Sequence, residues 1–210
     1  MVPNIIHQIV GPKKNNVVRR CLSSWTALRG ESYKIKIWTD ARIEKFLTKY
    51  YPQAVLPFLT ARNHAEAADL ARYLIIYHYG GHYYDWDIQL LSMELFKELC
   101  FNHPQGFLLR DPRDQSIASE AFAAEKGEAY LLKLATNIIQ IFTNNERDSM
   151  STLIYSGPMR MNIVYAENPN SKQSMLEVKD VFLYDYSEIK EMPESTDSKA
   201  MIHYWLHSWL

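Results

Sequence analysis

Apolar residues recur in the first half of the chain with two rhythms, a period of two that marks strands and a period near 3.6 that marks helices. NIIHQIV (4–10) is a short apolar run closed by Gly11 and Pro12, which predicts a buried strand. Val17, Cys21, Trp25 and Leu28 then recur at helical spacing, and YKIKIWT (33–39) alternates as a strand does. Asp40 caps the helix predicted from Ile43, Phe46, Leu47 and Tyr50, which Pro52 stops. A longer helix is predicted from about His64 to Tyr79, ended by Gly80 and Gly81, where a left-handed turn needs no side chain. YGGHYYDWDIQ (79–89) carries the third strand, so three strand-and-helix units stand in series.

The second half is less regular. GFLL (106–109), TLIYSG (152–157) and VFLYD (181–185) are expected as strands, and EAYLLKLATNIIQIF (128–142) as a helix. NPNSKQS (168–174) and EMPESTDSK (191–199) are polar, proline-containing loops. Gly157 and Pro158 are expected to shape a turn, with Ser156 free to cap a helix from Met159. Strands alternating with helices predict an α/β sheet, and without internal repeats one domain over 1–210 is expected.

Composition narrows the function classes. With 210 residues and 47% hydrophobic content the chain can bury a sizeable core. Lys plus Arg number 23 against 24 for Asp plus Glu, which argues against nucleic acid as a partner. Cys21 and Cys100 lie far apart, so neither a disulfide framework nor a cysteine zinc site is expected, and a reducing, cytoplasmic setting fits. MVPNIIHQIV is too short and too poor in basic residues for a secretion signal, and no window is long and apolar enough for a membrane span. The C-terminal WLHSWL leaves peripheral contact with the inner membrane open.

The candidate chemistry begins at DWD. On a strand, Asp85, Asp87 and Gln89 face one way and Tyr84, Trp86 and Ile88 the other, with Tyr83 on the acidic face. Two carboxylates about 6 Å apart repel by about 0.7 kcal/mol in water and nearly 3 kcal/mol at an effective dielectric of about 20. Either the pair is solvated at an exposed strand end, or a proton, a base or a divalent cation offsets the repulsion. The preceding helix favours the second reading. Asp69 and Arg72 precede Gly80 by 11 and 8 residues, which at ~1.5 Å per residue sets them about 17 and 12 Å back. Asp85 and Asp87 follow Gly81 by 4 and 6 residues, about 13 and 20 Å along a strand folding back over that helix. All four reach one level at one end of the sheet, where α/β folds build ligand sites.

AADLARYLIIYHYGGHYYDWDIQLL (67–91) resembles the sugar-binding block of glycosyltransferase family 32, which contains yeast-type α-mannosyltransferases and many bacterial capsule or lipopolysaccharide transferases. PNIIHQIVG (3–11), the SW at 24 and 25, IWTD (37–40), SGP (156–158) and HYWLHSW (203–209) match in the same order, so the resemblance covers nearly the whole chain. It implies a GT-A fold, a Rossmann-like mixed sheet flanked by helices that binds a nucleotide sugar, mainly through 1–91, and an acceptor, mainly through 92–210. It also implies a divalent metal, manganese before magnesium, and retaining transfer from a UDP- or GDP-sugar to a glycan or lipid-linked oligosaccharide in surface polysaccharide synthesis. By position in the motif, Asp87 binds the metal directly, Asp85 the ribose or a metal water, and His203 completes the metal site in preference to His207. Asp69 and Arg72 hold the donor sugar and the reacting region. His7, Gln8 and Asp40 are further donor contacts, with strand packing and helix capping as their alternatives, and Trp205 and Trp209 close over the donor or simply pack. Val10 stands where the family has a Trp suited to stacking on the base. Acceptor contacts are expected around Arg110–Glu128 and in the 191–199 loop. Asp69 as a covalent nucleophile, a metal-dependent hydrolase of phosphodiesters or diphosphates, and a silent sugar-binding module are the alternatives.

Overall fold

The first strand, β1 (Ile5–Ile9), is buried on both faces in the computed structural model, which describes residues 1–11, 14–167, 171–195 and 197–206. Ile6 points into the apolar cluster around Trp25, and Ile9 into the cluster around the long helix. Asn15 accepts from the Val18 N–H and starts α1 (Asn16–Ser24), after which comes β2 (Lys34–Trp38). Thr39 is the N-cap of α2 (Asp40–Tyr50), so Asp40 stands in the first helical turn rather than at the cap. The short α3 (Val55–Leu59) leads to α4 (His64–Tyr79), whose N-cap Asn63 accepts from the Glu66 N–H. α4 is buried around most of its circumference, as a helix through the interior must be. Gly80 and Gly81 end it with φ of 66° and 110°, and a Cβ on Gly81 would lie 2.5 Å from the Ile5 carbonyl oxygen. Only glycine satisfies both demands, and the chain reverses into β3 (Gly81–Tyr84).

The remaining elements are β4 (Ile88–Leu90), α5 (Met93–Asn102), β5 (Gly106–Arg110), β6 (Ile117–Ala124), α6 (Ala129–Thr143), α7 (Thr152–Tyr155), α8 (Pro158–Glu167), β7 (Ser174–Glu177), α9 (Val178–Val181) and β8 (Met201–His203). Six strands form one sheet in the order β2-β1-β3-β6-β5-β7, with β6 alone running against the others. The expected mixed α/β sheet flanked by helices is present. One face packs on α2, α4 and α6 through Ile43, Leu74 and Leu134, and the other on Trp25, Phe96 and Val178. Trp25 stacks on Tyr84 at 4.5 Å and donates its indole N–H to the Ile88 carbonyl at 2.9 Å.

Several expected strands are corrected. The third strand stops at Tyr84; the Asp85 N–H still bonds the Glu120 carbonyl at 2.9 Å, in register with the Tyr84–Ala121 pair, and the chain turns beyond it. Asp85 to Ile88 form a turn, closed by the Ile88 N–H on the Asp85 carbonyl at 3.1 Å, and β4 pairs with β8 in a separate two-stranded sheet. TLIYSG contains helix α7 instead of a strand, with Tyr155 buried. VFLYD contributes the end of α9 and one isolated bridge, Phe182 to Met201. The strands β6, β7 and β8 were not among the expectations.

Candidate active site

The ends of β1 and β3 and the start of β6 meet at one edge of the sheet, over a cleft of about 390 Å³. One helical turn separates Asp69 from Arg72, so both project to its floor, with Arg72 Nη2 3.5 Å from Asp69 Oδ1. Arg72 Nη1 lies 3.3 Å from Asp85 Oδ1 and donates to the Ser119 carbonyl at 2.6 Å. Its Nε donates to the Ala68 carbonyl, and its guanidinium lies 4.6 Å from the centre of the Tyr83 ring. The Tyr83 hydroxyl donates to Asp85 Oδ1 at 2.6 Å, and the Ser156 hydroxyl donates to Asp69 Oδ2 at 2.8 Å. Ser156 thus reaches back to α4, correcting the expectation that it caps α8.

The turn, not a shared strand face, brings the second aspartate in. Asp87 Oδ1 lies 3.3 Å from His203 Nε2, and Oδ2 accepts from the Leu206 N–H at 2.8 Å. Its carbonyl accepts from the Tyr204 N–H at 3.2 Å. Glu120 faces His203 from the other side, with Oε1 3.9 Å from Nδ1.

Burial works against the charges here, and the neighbours decide each outcome. Burial pushes the Asp69 carboxyl up to about 6, against the pull of Arg72 and Ser156. Asp85 and Glu120 are also raised by loss of water, opposed mainly by Arg72 and His203 respectively. Burial would raise Asp87 too, but His203 and the N–H donors prevail and hold it below the ordinary carboxylate range. Burial would lower His203, and Asp87 with Glu120 holds it above its usual value. Four carboxylates against one guanidinium and one imidazole make the floor cation-seeking.

Asp85, Asp87 and His203 each offer one ligand atom, all within 4.8 Å of one another. Two carboxylates with an imidazole suit a divalent ion of the manganese or magnesium type, so the residues fit the expected metal. Asp69, Arg72, Asp85, Asp87 and His203 therefore meet in one place, as the sequence predicts.

Other candidates separate. His7 is wholly buried, accepts at Nδ1 from the Trp38 indole at 3.0 Å, and donates from Nε2 to the Gly80 carbonyl at 3.1 Å. Burial first, then Lys36, lowers its pKa to about 3, so it is a neutral structural ring behind the cleft and not a lining residue. Gln8 is equally buried and lines no part of the cleft. Val10 is also buried, and Ile9 reaches the cleft instead. The aromatic wall there is Trp86, packed close over Gly11, where a Cβ would lie 2.8 Å from the indole, with His64 beside it. Asp40 is exposed at the rim, 3.9 Å from His64 Nδ1. Trp205 lines the cleft and packs on His203 at 4.1 Å, whereas Trp209 and His207 lie outside the described residues. Asp111, Arg113, Asp114 and Ser116 border the cleft, whereas Ser198 and Lys199 of the 191–199 loop border a separate groove beside α5.

Sequence reasoning missed Glu120 and the contact of Ser156. A single acid inside IASEAFAA was the available signal for the first, and SGP for the second.

Residues 15–101 match the family described as "glycosyltransferase sugar-binding region containing DXD motif". Inositol phosphoceramide mannosyltransferase 3 of Schizosaccharomyces pombe is 23% identical over 99% of this chain, and the chain spans 60% of that protein's length. A mannosyl phosphorylinositol ceramide synthase of Saccharomyces cerevisiae is 24% identical over 80% of the chain and 43% of its own length. Among solved structures, the PaToxG glycosyltransferase superposes with a TM-score of 0.55 at 16% identity, covering 80% of this chain and 70% of that one, a likeness of fold. DXD glycosyltransferases as a group imply a divalent metal. Motif, cleft and relatives point the same way: residues 15–101 are similar to the sugar-binding region of DXD glycosyltransferases, and Asp85 and Asp87 are the acidic pair within that stretch.

Proposed function

We propose that the chain is a retaining, metal-dependent glycosyltransferase that moves a hexose, mannose foremost, from a nucleotide sugar to a lipid head group. The observation that carries this reading is the convergence of Asp69, Arg72, Asp85, Asp87 and His203 on one cleft floor. The mannosyl transfer and inositol phosphoceramide in the names of the relatives favour a glycolipid acceptor over a capsule or lipopolysaccharide glycan. The half-exposed Leu153 and Met159 at the cleft wall offer apolar ground for such a molecule.

Asp85, Asp87 and His203 would hold the divalent ion, manganese foremost, which when bound neutralises charge on the departing diphosphate. Arg72, pinned by the Ser119 carbonyl and flanked by Asp69 and Asp85, keeps a fixed positive charge beside the reacting region. Asp69, oriented by Ser156 and with a pKa near 6, either accepts from or donates to a sugar hydroxyl close to neutral pH. The acceptor oxygen attacks from the face the diphosphate leaves, and its proton passes to a phosphate oxygen of the leaving group. Asp69 as nucleophile is the alternative route to retention. Trp86, in the turn after β3, and His64, at the start of α4, would flank the nucleoside of a UDP- or GDP-sugar.

The test is turnover of a panel of nucleotide sugars with manganese and inositol-bearing lipids, with and without EDTA. We expect nucleoside diphosphate release that needs metal, accelerates with acceptor and yields a product of unchanged anomeric configuration by NMR. Asp87→Asn should lower turnover by about 10³-fold, the scale of losing a group that stabilises transition-state charge, with the melting temperature nearly kept. Full activity in that variant would sink the site assignment, and release indifferent to acceptor would point to a hydrolase.

A further inference from the structure

We propose that Glu120 is a positioning residue: its carboxylate orients the His203 ring for metal binding while its main chain fixes Asp85. This rests on the reading of Asp85, Asp87 and His203 as metal ligands.

The register of β3 on β6 pairs Tyr84 with Ala121, which sets residue 120 beside the first aspartate of the turn. The Glu120 carbonyl takes the Asp85 N–H at 2.9 Å, one position past the last residue of β3, where the turn begins. On its side-chain end, Oε1 stands 3.9 Å from His203 Nδ1, while Nε2 of the same ring faces Asp87 at 3.3 Å. Nδ1 is buried and has no hydrogen-bond partner among the described residues. Trp205 packs on the ring at 4.1 Å and limits its tilt. An imidazole that gives one nitrogen to a metal is held in orientation and tautomer by donating its other N–H to a carboxylate. Glu120 is placed for that task, and a shift of about 1 Å brings its oxygen into hydrogen-bond range.

The experiment measures manganese affinity by calorimetry, with electron paramagnetic resonance of the free ion as a check, on the full chain without donor. Glu120→Ala should weaken binding by about 10- to 100-fold. Glu120→Gln, whose amide oxygen still accepts the Nδ1–H, should recover most of that loss, and it serves where the alanine variant fails to fold. In a His203→Ala background, Glu120→Ala should add nothing, because the effect travels through the ring. Wild-type affinity in Glu120→Ala overturns the proposal. So does a glutamine variant as weak as the alanine one, or losses that multiply in the double variant, since either makes Glu120 a ligand or a plain charge. If Asp87→Asn abolishes binding while the Glu120 variants keep it, this inference alone falls. If the wild-type chain binds no manganese, the metal reading falls with it.

Discussion

The two halves of the chain build the cleft in different ways. Asp69, Arg72, Asp85 and Asp87 come from one continuous helix, reversal and turn, whereas Glu120, Ser156 and His203 arrive singly from three elements far apart in sequence. The first group is set by local geometry, since one turn of α4 and two glycines decide where its members point. Glu120 and His203 have their positions because strands distant in sequence pair, β6 on β3 and β8 on β4, and Ser156 because it follows α7, which packs on α4. A locally built set should fail through its own charge balance, and a remotely built set through loss of contacts that reach across to it.

Three measurements sharpen that contrast. The largest effect is expected within the local set. Arg72→Met leaves Asp69 and Asp85 without their counter-charge in a buried site, and chemical denaturation should register about 3–5 kcal/mol of lost stability. A loss below about 1 kcal/mol would mean that the cleft solvates those carboxylates on its own. Next comes a pH effect from buried rings behind the site. His82 on β3 is kept at a pKa of about 3 by burial, against 6.5 when unfolded. The unfolded chain binds that proton below pH 6.5 and the native state does not until pH nears 3. His82 therefore withdraws about 1.4 kcal/mol of stability per pH unit as pH falls through that window. Measured against His82→Phe at matched pH, the wild type should lose ground at that rate, and parallel stability curves would show that His82 protonates in place. The smallest effect is expected from the remote set. Ser156→Ala removes one hydrogen bond to Asp69 and should cost about 1–3 kcal/mol, with the pKa of Asp69 rising further, as followed by NMR titration.

The same contrast explains what the sequence disclosed. Asp69 and Arg72 were legible because helical spacing and Gly80-Gly81 fix their height without reference to the rest of the chain. DWD was misread as strand because Tyr84, Trp86 and Ile88 alternate as a strand does. What ends the strand is the turn closed by the Ile88 N–H on the Asp85 carbonyl, just past the last bond to Glu120, on a segment whose place no local pattern gives. That segment, IASEAFAA, lies in the middle of the sheet with nearly all its residues buried, so it carries no alternation to detect. TLIYSG is a short apolar run, and such runs do not separate a strand from a buried turn of helix. His203 came from the family resemblance and not from spacing, since only the β4–β8 pairing carries it to Asp87.

The bond from the Leu206 N–H to the Asp87 carboxylate spans 119 positions of chain. Together with the Tyr204 N–H on the Asp87 carbonyl, it makes a late-synthesised segment the fastener of an early-synthesised acid. On the ribosome, Asp69, Arg72, Asp85 and Asp87 emerge and can pack long before their last partners exist. The site is consequently assembled last, and a nascent chain carries the acids without the cage that gives them a use.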